Sequence, residues 1–311
     1  MLIVGCGYVG LRVARDILGS DPERSAWGPI RHVTALTRSE RRAGELRQLG
    51  CRPVVGDITK AESLADLRLD DDGTLLFAVG FDRHCGLPIE DVYCDGLGNV
   101  LNQLASCGEP LRRLIYLSST GVYGDHGGEW VDETTAVSPE REGGRACAGA
   151  EAMLAEHPWS RAAHVILRLA GIYGPGRVPR LANLRAGTPL PTPADSWLNL
   201  IHVDDVVNVV RAVCTQPHGS RVFCVSDGHP ARRRDYYRTL ATVAGAPPPK
   251  FVGVADPTSL ATTSRNAGDK RVSNRLLLDE LRLTLRYPDC EAGLRAIVAA
   301  DVAADDARSS G

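Results

Sequence analysis

Three glycines near the start of the chain have the spacing of a phosphate-binding turn. The stretch GCGYVG is a G-x-G-x-x-G pattern that follows the apolar run MLIV and opens the helix-like YVGLRVARDIL. Gly5 permits a tight turn, Gly7 lets a pyrophosphate approach the backbone, and Gly10 lets the helix pack against the strand. A structural turn without a ligand is the alternative. The pattern predicts a dinucleotide site that includes the loop residues Gly5, Cys6, Gly7, Tyr8, Val9 and Gly10.

The end of the second predicted strand bears on which dinucleotide binds. It reads ALTRSERR, and Thr37 stands where an NAD site usually has an acidic residue for the ribose 2′-hydroxyl. Arg38 follows it, with Arg41 and Arg42 one turn later. Guanidinium groups suit a 2′-phosphate, so we expect NADP(H) to be preferred over NAD(H). A solvated helix start that carries these arginines is the alternative.

Two later strand ends complete the predicted nucleotide site. VGDI ends the third strand and sets Asp57 and Ile58 beside the adenine. FAVGF ends the fourth strand, where small residues let a cofactor lie against the backbone. The predicted contacts there are Ala78, Val79 and Gly80.

The stretch REGGRACAGAE, Arg141 to Glu151, lacks the residues that a reductase of this pattern needs. A tyrosine and a lysine four residues apart lie on one face of a helix, where they move a proton to or from a substrate oxygen. Between Gly124 and Ile172 the chain has no Tyr and no Lys. Any proton transfer therefore needs another donor.

The elements that must position these residues alternate along the first half of the chain. Strand-like runs include MLIV, HVTALT, CRPVVGDI, TLLFAVG, LRRLIYLSST and AAHVILRLAGIYG, with helix-like segments between most of them. This alternation predicts an α/β fold, a Rossmann-type doubly wound parallel sheet with ligands at the carboxyl ends of its strands. The segment GSDPERSAWGPIR, before the second strand, is predicted to be a surface insertion.

The regular alternation ends after Pro175. Prolines crowd TPLPTP and PPPK, and ADPTSLATTSRNAGDK is interpreted as a loop. We predict a dinucleotide-binding Rossmann domain over residues 1–175, to which part of the later chain returns. A smaller C-terminal substrate lobe over 176–300 and a flexible tail over 301–311 follow.

Composition excludes several classes of function. Thirty-six Lys and Arg against 38 Asp and Glu give a net charge of −2, so neither nucleic acid nor a membrane surface is an expected partner. No apolar run approaches the ~20 residues that cross a bilayer, and no signal-peptide pattern precedes the glycines. Nine scattered cysteines without a CxxC pair indicate reduced thiols in a bacterial-type cytoplasm. No Cys/His spacing suggests a metal site.

Four motifs follow the glycine pattern: IYLSSTGVYGD, ILRLAGIYGPGR, LNLIHVDDVVNVV and GDKRVSNRLLLDEL. Together they resemble extended short-chain dehydrogenases/reductases of the NAD-dependent epimerase/dehydratase family, in its atypical bacterial branch, over nearly the whole chain. The resemblance implies that Ser119 is the catalytic Ser/Thr that hydrogen-bonds the substrate oxygen, with Thr120 as a substitute. Hydroxyls that only satisfy backbone groups at the strand end are the alternative.

The resemblance also implies where the Tyr-x-x-x-Lys pair should lie. A glutamate often lies four residues past the lysine, so counting back from Glu151 puts Cys147 at the lysine and Gly143 at the tyrosine. Neither can replace those side chains, because glycine has none and a thiol carries no positive charge. Arg145 is the candidate for the lysine's role of binding the ribose or phosphate. Cys147 has no identifiable base that would make it a nucleophile.

The proton donor is open at this stage. Tyr173 is the leading candidate, because IYGPG lies at the carboxyl end of a strand, and packing under the capping lobe is the alternative. Tyr123, the Ser119 hydroxyl through water, and the substrate itself are further options. Arginine is excluded as a general acid because its pKa lies above about 12.

Other polar positions have alternative interpretations. Arg168 holds either a loop or a substrate anion. Gly171 stands where the family usually has an asparagine, which weakens an inference to nucleotide-sugar substrates. His202, Asp204 and Asp205 look like a catalytic cluster, but we interpret them mainly as residues that start a helix.

Two functions are compatible with these residues. One is an NAD(P)-dependent oxidoreductase or epimerase-like enzyme acting on a small polar, sugar-like substrate. The other is a catalytically silent NAD(P)-binding sensor or regulatory protein. The missing Tyr and Lys favour the second, whereas SST, YGPGR and the capping-lobe motifs favour the first. The helices GLGNVLNQLA and CAGAEAMLAE either form a homodimer interface or are buried within the monomer.

Overall fold

The computed structural model describes residues 1–20, 26–216, 219–252 and 268–309. Its chain divides into two compact units that interleave along the sequence. The first comprises Met1–Val122, Glu142–Arg168 and Val206–Phe223, and the second comprises Tyr123–Arg141, Leu169–Asp205 and Cys224–Gly311. The domain limits predicted from the sequence stay a prediction.

A seven-stranded parallel sheet is the central sheet of the chain, and it confirms the predicted Rossmann-type fold. Its strands are, in spatial order, β12 (Arg221–Val225), β7 (His164–Leu169), β5 (Arg113–Ser119), β4 (Thr74–Phe77), β1 (Leu2–Val4), β2 (Thr34–Thr37) and β3 (Arg52–Val55). β1 pairs in parallel with both β2 and β4, so the strand order reverses beside β1. Ligands of such sheets bind at the carboxyl ends of the strands flanking this reversal.

Burial explains why these short apolar runs form strands. All three residues of β1 and all four of β4 are buried, as expected for a parallel sheet covered on both faces. The helices that alternate with the strands are α1 (Gly10–Leu18), α2 (Glu40–Gln48), α3 (Gly96–Ser106), α4 (Glu142–Glu156) and α6 (Val203–Thr215). Leu97, Val100 and Leu104 of α3 pack in the same core as β1 and β4.

Local signals mark the starts of two of these helices. Ser39 caps α2, because its hydroxyl accepts a hydrogen bond from the Arg42 N–H at 3.3 Å. A π-helical turn, Asp91–Asp95, precedes α3 and carries Tyr93. Such turns take side chains out of the regular helical register and are frequent at functional sites.

Short strand pairs make up the β-structure described in the second unit. They are β8 (Gly171–Tyr173) with β11 (Leu200–His202), β9 (Leu190–Pro191) with β14 (Phe251–Val252), β10 (Trp197–Leu198) with β13 (Ala231–Arg232), and β6 (Trp130–Val131) with β15 (Arg271–Val272). The helices of this unit include α5 (Leu181–Arg185), α7 (Arg233–Val243), α8 (Arg275–Leu281) and α9 (Cys290–Ser309). A separate core forms around Tyr173, Leu190, Tyr236 and Leu294.

The predicted sixth strand, AAHVILRLAGIYG, is wrong in extent, because the structure divides it at Ala170. β7 belongs to the central sheet, whereas β8 pairs with β11. The Ala170 N–H donates to the Val225 carbonyl oxygen at 2.9 Å, and the Gly171 N–H donates to the Asn199 carbonyl oxygen at 3.0 Å. An uninterrupted apolar run does not reveal such a change of pairing partner.

The segment predicted as a surface insertion is partly buried. Residues 21–25 lie outside the described residues, but Trp27 and Ile30 are buried. The Trp27 indole N–H donates to the Asp16 carboxylate of α1 at 2.8 Å. The prediction was wrong for these two residues because the length of a connection does not decide its packing.

Two further sequence predictions fall partly beyond the described part of the chain. Of the loop predicted over residues 255–270, residues 255–267 lie outside the described part of the chain. Helical backbone continues through Ser309, inside the segment predicted as a tail, and residues 310–311 lie outside the described residues. The flexible tail stays a prediction.

Candidate functional site

The glycine loop has the geometry that its spacing predicts. Gly5 follows β1 with a φ of 101°, and a Cβ added to it would lie 2.6 Å from the backbone of Ala78. A Cβ on Gly10 would overlap the Gly5 carbonyl oxygen, so the start of α1 approaches the loop only because residue 10 is glycine. Gly7 has nothing within 4 Å of its Cβ position. The loop therefore leaves an open approach to the backbone at Gly7.

A cavity of about 310 Å³ opens beside this loop, in the first unit. It brings together ten of the predicted cofactor-binding residues: Gly5, Cys6, Gly7, Thr37, Arg38, Asp57, Ile58, Ala78, Val79 and Gly80. Sequence reasoning missed the other lining residues, which are Val4, Leu36, Gly56, Thr59, Asp82, Cys85, Leu87 and Val92. These missed positions carry no motif, although most lie within a few residues of a strand end.

Four predicted cofactor contacts do not line this cavity. The Tyr8 ring lies under the Arg12 guanidinium, 3.8 Å from it. Val9 is buried and Gly10 begins α1. Arg145 is exposed on α4. Cofactor-binding roles for these four residues stay predictions.

Thr37 and Arg38 line the cavity at the carboxyl end of β2. The Arg38 guanidinium is exposed and lies 3.8 Å from the Asp82 carboxylate, which also lines the cavity. An exposed ion pair at this distance contributes little stability, so Arg38 can turn to another anion at small cost.

The two later arginines of this stretch are engaged within α2 and the loop. Arg41 pairs with Glu45, and so does Arg42. Arg42 also donates to the Cys6 carbonyl oxygen at 3.0 Å. For Arg41 the structure therefore agrees with the alternative given above, an arginine at a solvated helix start. Arg42 in addition connects α2 to the glycine loop.

The end of β3 is tied to α3. The Asp57 carboxylate accepts hydrogen bonds from the Thr59 N–H at 3.0 Å and hydroxyl at 2.8 Å. The Ile58 carbonyl oxygen accepts from the Asn99 amide at 2.8 Å. A Cβ on Gly96 would lie 2.8 Å from the Ile58 side chain, so glycine allows this close packing. The predicted adenine contacts thus lie on a fixed segment.

The hydroxyls that end β5 have local partners. Ser119 Oγ accepts a hydrogen bond from the Gly121 N–H at 3.0 Å, which is the backbone role given above as the alternative. That bond uses a lone pair and leaves the Ser119 proton to be donated. Thr120 is buried and begins a 3₁₀ turn, Thr120–Tyr123.

A buried polar group lies behind these hydroxyls. Ser118 Oγ donates to Glu151 Oε1 at 2.6 Å, and the Arg168 guanidinium pairs with the same carboxylate. Arg168 and Glu151 are each more than nine-tenths buried. The observed partner of Arg168 is therefore a carboxylate in the interior of the first unit. The sequence analysis used Glu151 only to align α4. The apolar residues next to Glu151 and Arg168 gave no indication that these two side chains form an ion pair.

Gly143 and Cys147 both lie on α4, where the resemblance placed them. Burial raises the pKa of the Cys147 thiol to about 11, with the Glu151 carboxylate adding to the rise. A thiol that stays protonated at neutral pH is a poor nucleophile. Tyr116 and Ser118 are its hydrogen-bonding neighbours. The Cβ position of Gly143 lies 3.7 Å from Ile89 Cδ1.

Tyr173 lies in the core of the second unit. It is fully buried, its ring meets the His202 ring edge to face at 5.2 Å, and its hydroxyl donates to the Asp289 carbonyl oxygen at 3.4 Å. Burial raises the pKa of Tyr173 far above its usual value, with the nearby Asp227 adding to the rise. These surroundings favour the packing role given above as the alternative.

His202, Asp204 and Asp205 have partners that a structural role requires. The Asp205 carboxylate accepts the backbone N–H groups of Arg286 at 2.7 Å and Tyr287 at 3.0 Å. His202 Nδ1 accepts the Asp204 N–H at 3.2 Å at the start of α6. These contacts agree with our interpretation of the three residues as positioning groups.

Lys270 is a buried cation in the second unit that sequence reasoning missed as a site residue. Its ammonium donates to the carbonyl oxygens of Gly124 at 2.9 Å and Gly268 at 3.5 Å. Burial lowers the pKa of Lys270 to about 8, and the Arg141 guanidinium adds to the fall. The sequence analysis included Lys270 only as part of the motif GDKRVSNRLLLDEL and gave it no role of its own.

Other kinds of site are absent from the described part of the chain. Within those residues, no group of three or more His, Cys, Asp or Glu side chains could hold a metal ion. A search of the same residues finds no helix both long and apolar enough to span a membrane.

The sheet order, the glycine loop and the cavity at the strand ends define a dinucleotide-type Rossmann protein. Residues 1–225 match the model of the NAD-dependent epimerase/dehydratase family, and the chain belongs to this family. The predicted resemblance to this family is thereby confirmed, and the atypical bacterial branch stays a prediction.

Similar proteins agree with this assignment. The chain is 33% identical over 180 residues to protein YeeZ of Escherichia coli K12. The aligned region covers 58% of this chain and 60% of YeeZ. A structure assigned to the NAD-dependent epimerases/dehydratases, from Methylobacillus flagellatus, is 30% identical with a TM-score of 0.71, covering 97% and 98% of the two chains. MoeE5 in complex with UDP-glucose and NAD shares the fold, with 18% identity, a TM-score of 0.73 and coverage of 97% and 98%.

Proposed function

We propose that this protein is an NAD(P)-dependent oxidoreductase or epimerase-like enzyme that prefers NADP(H) and acts on a small polar, sugar-like substrate. The proposal rests on the cavity beside the glycine loop. The ends of the strands next to the reversal of strand order line this cavity. Bound there, the dinucleotide would supply or accept a hydride at its nicotinamide ring.

The residues present fit such a cofactor. The open space at Gly7 admits a pyrophosphate to the backbone N–H groups of the loop. Asp57 and Ile58 would hold the adenine end, and the small residues Ala78 and Gly80 leave room beside β4. Arg42 donates to the Cys6 carbonyl oxygen and so places a positive charge beside the loop.

The preference for NADP(H) rests on Thr37 and Arg38. Both line the cavity at the end of β2, where a carboxylate would repel a 2′-phosphate. Arg38 is exposed and only loosely paired with Asp82. A guanidinium in this position forms charge-assisted hydrogen bonds with a phosphate.

The substrate class rests on similarity. The MoeE5 structure contains UDP-glucose, and a dTDP-glucose 4,6-dehydratase of Mycobacterium tuberculosis is 26% identical to this chain. From these two relatives we infer that the substrate of this chain is a polar compound with a carbonyl group or a secondary alcohol. Gly171, in place of the usual asparagine, weakens an inference to nucleotide-sugar substrates in particular. The second unit would form the substrate lobe predicted over residues 176–300.

Ser119 is the residue we assign to the substrate oxygen, with Thr120 as its substitute. The Ser119 hydroxyl accepts the Gly121 N–H and retains a proton to donate. Gly143 and Cys147 replace the usual tyrosine and lysine, so the proton must come from another residue. A silent NAD(P)-binding sensor is the alternative that this replacement favours.

A direct fluorescence titration with NADPH and NADH tests the proposal first. We expect both to bind and NADPH to bind at least tenfold more tightly, a difference of about 1.4 kcal/mol. Tighter binding of NADH would contradict the assignment of Arg38. No binding of either would contradict the proposed function as a whole.

Hydride transfer then separates an enzyme from a sensor. NADPH deuterated at the nicotinamide C4 is incubated with a panel of aldehydes, ketones and nucleotide sugars, and the products are analysed for deuterium by mass spectrometry. Deuterium in a product supports the enzyme. Tight NADPH binding without transfer to any compound favours the sensor.

We also propose that the protein works in the cytoplasm as a homodimer. All nine cysteines are free thiols, as a reducing compartment requires. α3 and α4 pack together within the chain, with Met153 Sδ 3.5 Å from the Cβ position of Gly98, and each keeps exposed positions. Sedimentation equilibrium tests the dimer, and a monomer mass would contradict it.

A further inference from the structure

The eight tyrosines of the chain differ in position and burial. The buried ones are Tyr116, Tyr123, Tyr173, Tyr236 and Tyr237. Tyr287 stacks on His202 in the second unit, and Tyr8 lies under the Arg12 guanidinium. Tyr93 is half-buried and belongs to the first unit, which contains the glycine loop and its cavity.

Tyr93 lies beside that cavity. Its hydroxyl oxygen accepts a hydrogen bond from the Phe81 N–H at 3.1 Å, and Phe81 directly follows Gly80, a lining residue. Val92, next to Tyr93, lines the same cavity. The rings of Phe81 and Tyr93 pack edge to face with centroids 6.4 Å apart, which fixes the direction of the phenol.

The same segment faces the part of α4 where the family's tyrosine and lysine are missing. Ile89 Cδ1 lies 3.7 Å from the Cβ position of Gly143. The Cys94 thiol, which follows Tyr93, donates to the carbonyl oxygen of Ala146, the residue before Cys147, at 3.5 Å. The chain from Ile89 to Cys94 therefore packs against the part of α4 that contains both positions.

The hydrogen bonding of Tyr93 leaves its proton free to be transferred. Its oxygen accepts the Phe81 N–H, and within the described part of the chain no acceptor binds its proton. The π-helical turn Asp91–Asp95 takes the side chain out of the register of α3. By contrast, the Tyr173 proton is donated to the Asp289 carbonyl oxygen.

We propose that Tyr93 is the catalytic proton donor, in place of the tyrosine missing from α4. This inference rests on the proposed function. In the reductive direction the Tyr93 O–H bond breaks, and its proton goes to the carbonyl oxygen of an aldehyde or ketone whose carbon receives the hydride. The carbonyl π electrons form the new O–H bond, the nicotinamide is oxidised, the carbonyl becomes an alcohol, and the phenolate regains a proton from water.

The surroundings of Tyr93 suit a donor more than a base. Burial raises the pKa of Tyr93, the Cys147 thiol adds to the rise, and the Phe81 N–H opposes it. The ionisable neighbours on the packed elements are Cys147 on α4 and Tyr116 on β5. A phenol that stays protonated at neutral pH is ready to donate, and no lysine is needed to make it a base.

A tyrosinate absorbance titration tests the inference without a substrate. The oxidised nicotinamide ring is positively charged, and an opposite charge within about 4–6 Å of a phenolate lowers its pKa by roughly 1 unit or more. Stopped-flow pH jumps compare the protein saturated with NADP⁺ and with 2′-phospho-ADP-ribose, which lacks the ring. We expect one tyrosine to ionise at lower pH with NADP⁺ only.

Two variants identify which tyrosine ionises at lower pH. Tyr93→Phe keeps the ring packing and should abolish the shift while NADP⁺ affinity changes by less than about threefold. Tyr173→Phe should retain the shift. A shift that survives Tyr93→Phe, or no shift although NADP⁺ binds, overturns the inference alone. Failure of both dinucleotides to bind overturns the proposed function, and this inference falls with it.

A measurement on the unaltered protein guards against misfolding of the variant. Hydroxyl radicals oxidise accessible tyrosines in either ionisation state, and peptide mass spectrometry locates the product. We expect NADP⁺ to slow oxidation of Tyr93 several-fold more than 2′-phospho-ADP-ribose does. Equal oxidation with both ligands overturns the inference.

Discussion

Arg168 on β7 and Glu151 on α4 form a buried ion pair, with Arg168 Nη2 2.7 Å from Glu151 Oε2. Arg168 Nε also lies 3.2 Å from both carboxylate oxygens, and Ser118 donates to the same carboxylate. Two charges removed from water need this degree of hydrogen bonding to be tolerated. The pair fixes α4, which carries Gly143 and Cys147, against the sheet.

We expect either Glu151→Ala or Arg168→Ala to lower the free energy of unfolding by about 3–5 kcal/mol, because each leaves a buried charge unpaired. Urea unfolding followed by circular dichroism measures the change. The matched control is Arg295→Ala, which removes an exposed pair with Glu291 on α9 and should cost less than about 1 kcal/mol. Similar losses in all three variants would contradict a special role for the buried pair.

Substitutions in the glycine loop should separate folding from cofactor binding. Gly5→Ala places a Cβ 2.6 Å from the Ala78 backbone at a φ of 101°, so we expect little folded protein. Gly7→Ala meets no atom within 4 Å, so its melting temperature should change little. Its NADPH affinity should fall at least about tenfold, because the methyl group occupies the approach to the backbone. Unchanged affinity of a folded Gly7→Ala protein would place the pyrophosphate elsewhere.

The NADP(H) preference should depend on one arginine at the end of β2. Arg38→Ala should weaken NADPH binding roughly tenfold, since a charge-assisted hydrogen bond to the 2′-phosphate is lost, and leave NADH binding nearly unchanged. Arg41→Ala is the matched control, because Arg41 pairs with Glu45 and does not line the cavity. Paired fluorescence titrations measure both ratios. Equal losses for NADPH and NADH would show that Arg38 does not contact the 2′-phosphate.

The buried Lys270 should make the free energy of unfolding depend on pH in the alkaline range. Burial lowers the pKa of Lys270 from 10.5 to about 8, so between these values the unfolded chain binds more protons than the folded one. The contribution of Lys270 to stability therefore rises with pH over this window, by up to about 3 kcal/mol. We expect the stability of the wild type minus that of Lys270→Met to increase between about pH 8 and pH 10 in urea unfolding. A difference that stays constant would contradict the lowered pKa of Lys270.

Much of the first unit follows from local sequence. A glycine turn after an apolar strand has few foldable alternatives, because Gly5 needs a positive φ and Gly10 needs the absence of a Cβ. Alternating strand and helix patterns then impose parallel pairing and right-handed crossovers. The sheet and ten of the cavity-lining residues could therefore be predicted from the sequence.

Other predictions failed where a long-range partner decides the outcome. Trp27 is buried, and Asp16 on α1 accepts its indole N–H. The apolar run over β7 and β8 divides at Ala170 because the two strands pair with different neighbours. Neither partner is visible from the residues beside the break or beside the tryptophan.

By itself the sequence determined the family, the fold class and the glycine loop, and it has Gly143 and Cys147 where the resemblance places a tyrosine and a lysine. These depend on residue type and short spacing, which the chain carries locally. The tertiary structure decided which side chains lie near these two positions. Ile89, which precedes Tyr93 in the same segment, packs against Gly143 only in the folded chain. The burial of Lys270 and the pairing of Glu151 with Arg168 have the same origin, because desolvation and ion pairing depend on contacts between distant parts of the chain.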